Sequence, residues 1–227
     1  MKLISFPLES MVDRRGVEEG GARVQASLVR RMRRSLMVAP QGHNSRSERV
    51  PREFTRRLTG TSILAALVVV FDYGLKFSGL KIPFPWLPLL KFDFTGVPIA
   101  LSLLLYGLSS GATTSIVACL AILARSGDVV GATMKGIAEF VTVLGMAAGL
   151  HLPGRWRMVV SVVTGVTLRI AAMSVANLIV LPAYYGMPYN VAVGLLPMIG
   201  VFNSIQGALS VSLGYLLWTA YVRRVGE

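Results

Sequence analysis

The chain has 227 residues, of which 53% are hydrophobic and 15% charged, and 23 Lys/Arg against 11 Asp/Glu give a net charge of +12. Soluble domains carry about 25% charged residues, and the mean hydropathy here is +0.61, so an ordinary soluble fold is excluded. A single cysteine, Cys119, excludes an intrachain disulfide and a Cys-rich metal site.

The charge is unevenly spread. Residues 1–60 hold 13 of the Lys/Arg and 6 of the Asp/Glu, and the remaining 167 residues hold 10 and 5. This predicts a basic, polar N-terminal cytoplasmic extension at 1–57 and one polytopic transmembrane domain at 58–227. Such a basic chain invites a nucleic-acid partner. Arginines flanking membrane spans explain it more simply, through the positive-inside bias and anionic headgroups. No apolar core of the usual length follows Lys2, so the N-terminus does not read as a secretory signal. LVRRMRRSLMV (28–38) is either a basic amphipathic surface helix or a solvated tail. QGHNSRSERVPRE (41–53) reads as a polar linker, with His43 in it lacking ligand-like neighbours.

Six hydrophobic segments follow, at roughly 58–77, 97–108, 111–124, 133–151, 157–181 and 192–221. A span needs about 20 residues. The second and third are short and separated by a break at GLSSG. The sixth contains Pro197 and Gly200, which predict a kink or a short separate turn. The expected class is an all-α integral membrane protein with six transmembrane helices. Arg52, Arg56 and Arg57, then Arg155 and Arg157, then Arg223 and Arg224 fall on one side of such a bundle. That side is assigned to the cytoplasm, with both termini. Small residues at Gly145 and Gly149, and at Ser62 and Ala66, suit close helix contacts.

Polar residues inside the spans carry the functional signal, because a charge at a helix centre costs about 2.5–3.5 kcal/mol on insertion scales. Glu139, Arg169, Asn177, Asn203 and Gln206 stand out. The amides are either interhelical hydrogen-bond glue or ligand contacts. Glu139 and Arg169 are expected to differ in depth by about 9 Å, so a direct pair needs a long reach. The set suits an uncharged, hydrogen-bond-rich solute better than an ion. A carboxylate in the pocket favours a ligand with a cationic or N–H-rich edge over a phosphorylated one. Catalysis has little support: the sequence has no HExxH, no Cys/His cluster, no second buried acid beside Glu139 and no GxxxxGK[ST] for ATP hydrolysis.

LKFDFTGVP (90–98) followed by LLLYGLSSG (103–111) resembles the LKxDFSDxP…YGPLAG signature of the riboflavin-specific substrate-binding (S) subunits of energy-coupling factor (ECF) vitamin transporters. GIAEFVTVLG (136–145), MSVANLIVLPAY (173–184) and LLPMIGVFNSIQGALSV (195–211) resemble that family's segments in helices 4, 5 and 6. The ordered set covers roughly residues 58–222. The resemblance implies an ECF S-component-like bundle in the cell membrane, and a binding protein with no enzymatic activity and no metal or cofactor of its own. Riboflavin would be its transported ligand. Its implied partners are a transmembrane coupling subunit and two cytoplasmic ATPase subunits, with no nucleic acid. Carried over by position, Asn177 and Asn203 would hydrogen-bond the ligand, and Phe92, Asp93 and Phe94 would belong to a covering loop. Glu139 and Gln206 complete the implied binding set. Ser62, Ala65 and Ala66 on helix 1 would meet the coupling subunit. The chain departs from the pattern at Glu139 (the family has Asn), at Gln206 (Lys), at Gly96 (an acid) and after Gly107 (Pro). The alternatives are an S subunit for another vitamin-like heterocycle, an intramembrane enzyme using Glu139, or an assembly protein whose polar residues are all glue.

Overall fold

The computed structural model describes residues 45–152, 154 and 156–225. The basic segment 28–38 and His43 lie outside them. The chain divides into two compact units, Met1–Pro51 and Arg52–Glu227. Of the first unit only the helical residues 45–51 are described. The stretch expected as a linker is therefore helical from Ser45 on. It is rich in Arg and Glu, which are good helix formers whatever their polarity.

Six helices follow the hydrophobic segments: α1 (Ser45–Phe77), α2 (Gly96–Tyr106), α3 (Leu108–Ser126), α4 (Val129–His151), α5 (Arg157–Tyr185) and α6 (Tyr189–Val225). Five stretches are long and apolar enough to cross a membrane, Arg52–Phe77 of α1 and all of α3, α4, α5 and α6. Exposed Ile63, Val70, Leu120, Val163 and Ile179 give the bundle an apolar outer surface. That is what a helix facing lipid tails requires. The turns joining α3 to α4 and α5 to α6 lie at one end of the bundle with the C-terminus of α1. The basic flanks lie at the other end.

Helix α2 is the exception, with 11 residues, or about 16 Å of rise against a hydrocarbon core of about 30 Å. It ends at Gly107, whose φ of 92° and ψ of −178° lie in a region that is essentially glycine-only. The break thus falls at the first glycine of GLSSG, and the serines open α3. At its other end α2 begins deep in the bundle. A Cβ on Gly96 would lie 2.8 Å from Glu139 Oε2 and 2.5 Å from Ser210 Oγ. Glu139 is ten residues into α4, about 15 Å from that end. So α2 fills only the half of the bundle at the basic end, and a space opens above it.

The segment before α2 covers that space. Ile82–Phe84 (β1) and Leu87–Phe92 (β2) pair antiparallel in a two-stranded ribbon. The ribbon forms despite Pro83, Pro85 and Pro88 in and between its strands. Both strands of a two-stranded ribbon are edges, where proline costs no ladder hydrogen bond. Aromatic contacts pin the ribbon to α6: Phe84, Phe92 and Phe202 have ring centroids 5.0–5.9 Å apart. At its start, Lys81 bonds Asp72 of α1 at 2.6 Å.

Glycines set the approach of α4 to α5. A Cβ on Gly149 would lie 2.4 Å from Ser161 Cα, and one on Gly145 2.7 Å from Gly165 Cα. The Ser161 hydroxyl donates to Met146 O at 2.8 Å, and the Thr164 hydroxyl to Gly145 O at 2.7 Å. A larger residue must push two backbones apart. Gly149→Leu is expected to destabilise the protein by about 1–3 kcal/mol, read as a fall in Tm in detergent. Gly194→Leu, at a position with nothing within 4 Å, serves as the control and should leave Tm nearly unchanged. Helix α6 runs through Pro197 as one helix, so of the kink or separate turn expected there the separate turn is absent.

Candidate functional site

A cavity of about 450 Å³ lies under the ribbon, lined from α1, β2, the β2–α2 segment and α3 to α6. Its size is within the 300–1,000 Å³ usual for small-molecule sites. Apolar walls come from Leu87, Met134, Met173, Val180, Ile199 and Phe202. Asp93, Lys135, Arg169, Asn177 and Asn203 line it as polar groups.

The polar floor is one connected network. The Arg169 guanidinium donates to Glu139 Oε1 at 3.2 Å, Thr142 Oγ1 at 3.1 Å and Asn203 Oδ1 at 3.2 Å. The Lys135 ammonium sits 2.7 Å from Glu139 Oε1 and 2.9 Å from Asp93 Oδ1. Thr95 adds a hydroxyl bond to Asp93 Oδ1 at 2.8 Å. Arg169 and Glu139 are each 1% exposed, so both charges depend on this pairing. Burial works to raise the Asp93 carboxyl. The Lys135 ammonium, by charge and by hydrogen bond, and the Thr95 hydroxyl outweigh it, and the group lies below its ordinary value.

Glu139 and Arg169 therefore meet directly, against the expected difference in depth. Gly149 opposite Ser161 and Gly145 opposite Gly165 fix a register that sets residue 139 across from residue 171. The offset from Arg169 is two residues, about 3 Å. The 9 Å figure came from measuring both helices from level ends, whereas α5 has 29 residues and α4 has 23. Nor is Glu139 without a nearby acid, since Asp93 shares its Lys135.

The residues picked out in sequence separate into four groups. Asp93, Asn177 and Asn203 line the cavity. The Asn177 amide donates to Met173 O at 2.7 Å and that of Asn203 to Ile199 O at 2.9 Å, which leaves the Asn177 carbonyl for a ligand. Glu139 and Gln206 stand behind the lining. Glu139 is spent on two cations, so the inference that a pocket carboxylate selects a cationic ligand edge falls. Gln206 holds the lid segment, donating to Asp93 O at 2.8 Å and accepting from Asp93 N at 3.4 Å. The aromatic pair divides: Phe92 packs on Phe202, and Phe94 is 38% exposed. Neither lines the cavity. On α1, Ser62 and Ala66 are exposed, whereas Ala65 is buried within the bundle and is not available to a partner there.

Lys135 was missed in sequence. Placing the start of the fourth span at 133 put it at a helix end, where a lysine is unremarkable. The signal was its i,i+4 spacing to Glu139, one helical face. Asp72, near the end of α1, is 1% exposed and binds both Lys81 and Arg125 at 2.6 Å. Among the described residues no three His, Cys, Asp or Glu side chains gather as a metal site.

No family model matches the chain, and no curated protein does. Among solved structures it is similar to the S component of a bacterial ECF transporter, a structure described together with its mechanism. The TM-score is 0.65 at 24% identity, over 76% of this chain and 99% of that one. At that identity the likeness establishes the fold: this chain is an all-α membrane bundle with the S-component architecture.

Proposed function

We propose that the protein is the membrane-embedded substrate-binding subunit of an ECF-type vitamin uptake transporter. It takes riboflavin or a related flavin from outside, and a transmembrane coupling subunit with two cytoplasmic ATPases drives import. On this reading the lid end faces outward and both termini are cytoplasmic. The observation that carries it is the covered cavity, with an apolar body and a floor of fixed donors and acceptors between α4, α5 and α6. A flat heterocycle with alternating carbonyl and N–H groups fits such a wall. Arg169, Lys135 and the Asn203 amide would meet carbonyls, and the Asn177 carbonyl would meet an N–H. The fold likeness and the ordered sequence motifs support the same class. Glu139, held between two cations, is poorly placed as a general base, which disfavours an intramembrane enzyme. A different vitamin-like heterocycle is the second reading.

Titration of riboflavin with the purified protein should quench flavin fluorescence. Asn203→Ala should weaken binding by about 1–3 kcal/mol, because a buried ligand group loses its partner. An unchanged affinity would return Asn203 to a purely structural role. Calorimetric binding of another heterocycle, with none of riboflavin, would keep the class and replace the ligand.

A further inference from the structure

The charges around the cavity are distributed in two levels. The floor is balanced: Lys135 and Arg169 face Asp93 and Glu139, and all four are joined by ion pairs. The rim is not. Lys76, Lys81, Lys91 and Arg125 all line the cavity at the lid end. Lys81 and Arg125 share one carboxylate, Asp72, at 2.6 Å each. Asp128 also lines the cavity and caps α4, its Oδ1 accepting from Gly131 N at 2.9 Å; with Asp72 it offsets two of the four rim cations and leaves the rest in excess. Lys76 and Lys91 are exposed and have no carboxylate partner among the described residues.

We propose that the solute carries an anionic group, a phosphate monoester or a carboxylate, at the end away from its flat edge, and that Lys76, Lys81, Lys91 and Arg125 form the rim subsite that takes it. The placement deepens the proposed function: the flat part enters toward the balanced floor, and the charged tail stays at the cationic rim. A cavity mouth of one excess sign concentrates the opposite charge and raises the capture rate. Lys76 and Lys91 are exposed and hydrated, so what they offer an anion is charge attraction at the mouth, weakened by salt. The shared chemistry, an anion on lysines and an arginine, also describes a lipid headgroup, and the experiment separates the two.

Riboflavin 5′-phosphate and riboflavin are titrated against the purified protein by fluorescence quenching, at low and high salt. The ester should bind at least as tightly as riboflavin at low salt and lose affinity more steeply as salt rises. Lys76→Gln/Lys91→Gln should shift the ratio of the two affinities by about tenfold against the ester, the size expected for loss of two partly screened charges. An ester bound more weakly than riboflavin, with a ratio the double variant leaves unchanged, overturns the rim subsite while leaving the proposed function standing. If neither flavin binds, the proposed ligand fails, and the rim is tested with phenyl phosphate against benzyl alcohol by thermal shift. Stabilisation by phenyl phosphate alone, lost in the double variant, sustains the subsite, and equal shifts overturn it. The titration is repeated in nanodiscs of phosphatidylcholine with and without phosphatidylglycerol. Loss of the ester's preference in the anionic discs would assign the rim to headgroups and overturn a solute subsite.

Discussion

Glu139→Gln should lower the stability of the detergent-solubilised protein by about 3–5 kcal/mol, the cost of leaving one member of a buried ion pair uncompensated. Arg169 is 1% exposed, and Glu139 is its carboxylate partner. Thr142 and Asn203 supply hydrogen bonds but no charge. Lys135 would still have Asp93, so the loss falls on Arg169. The double variant Glu139→Gln/Arg169→Met removes both charges and should recover most of the lost Tm, since a buried pair replaced by neutral groups is often near neutral overall. A cycle of single and double variants measures the coupling. Additive losses would show that the two residues act independently and that the contact matters little.

Gly96→Asp should be nearly as damaging, for steric and electrostatic reasons together. A Cβ there meets Ser210 Oγ at 2.5 Å and Glu139 Oε2 at 2.8 Å, inside any ordinary contact. Overpacking costs about 1–3 kcal/mol, and the new carboxylate would lie against an existing one. Glu139→Asn is expected to relieve the second cost, so Gly96→Asp should be better tolerated in that background than in the wild type. The readout is Tm and flavin affinity across all four proteins. Equal damage in both backgrounds would mean that packing against Ser210, and not charge, excludes an acid at this position.

This pair shows what the sequence carried and what it withheld. The loss of an acid at Gly96 and its gain at Glu139 look like two unrelated departures from the S-subunit pattern when read along the chain. In space the two positions touch, a Cβ on Gly96 falling 2.8 Å from Glu139 Oε2. Hydrophobic runs made the six helices legible, because each must be apolar over most of its length. The cost of amides and charges in lipid marked Asn177, Asn203, Arg169 and Glu139. Register between helices was not legible, since it depends on where Gly145, Gly149 and Gly165 let backbones touch. Hence the Glu139–Arg169 contact was misjudged, and Lys135, the residue joining Asp93 to Glu139, was passed over. The ribbon was hidden by its prolines, which are harmless on strands with a free edge.

The short α2 has a consequence for timing. Residues 93–95 run as non-helical chain about halfway through the bundle, where the backbone has no helical partners. Gln206 supplies them, presenting its amide to Asp93 as a neighbouring strand would. Withdrawing that segment exposes an N–H and a C=O to a water-poor interior, a penalty of about 1–3 kcal/mol per unpaired group. For a solute bound beneath it as proposed, escape would be governed by how rarely this segment is drawn out. Residence time becomes a property of the chain that closes the chamber as much as of the contacts made inside it.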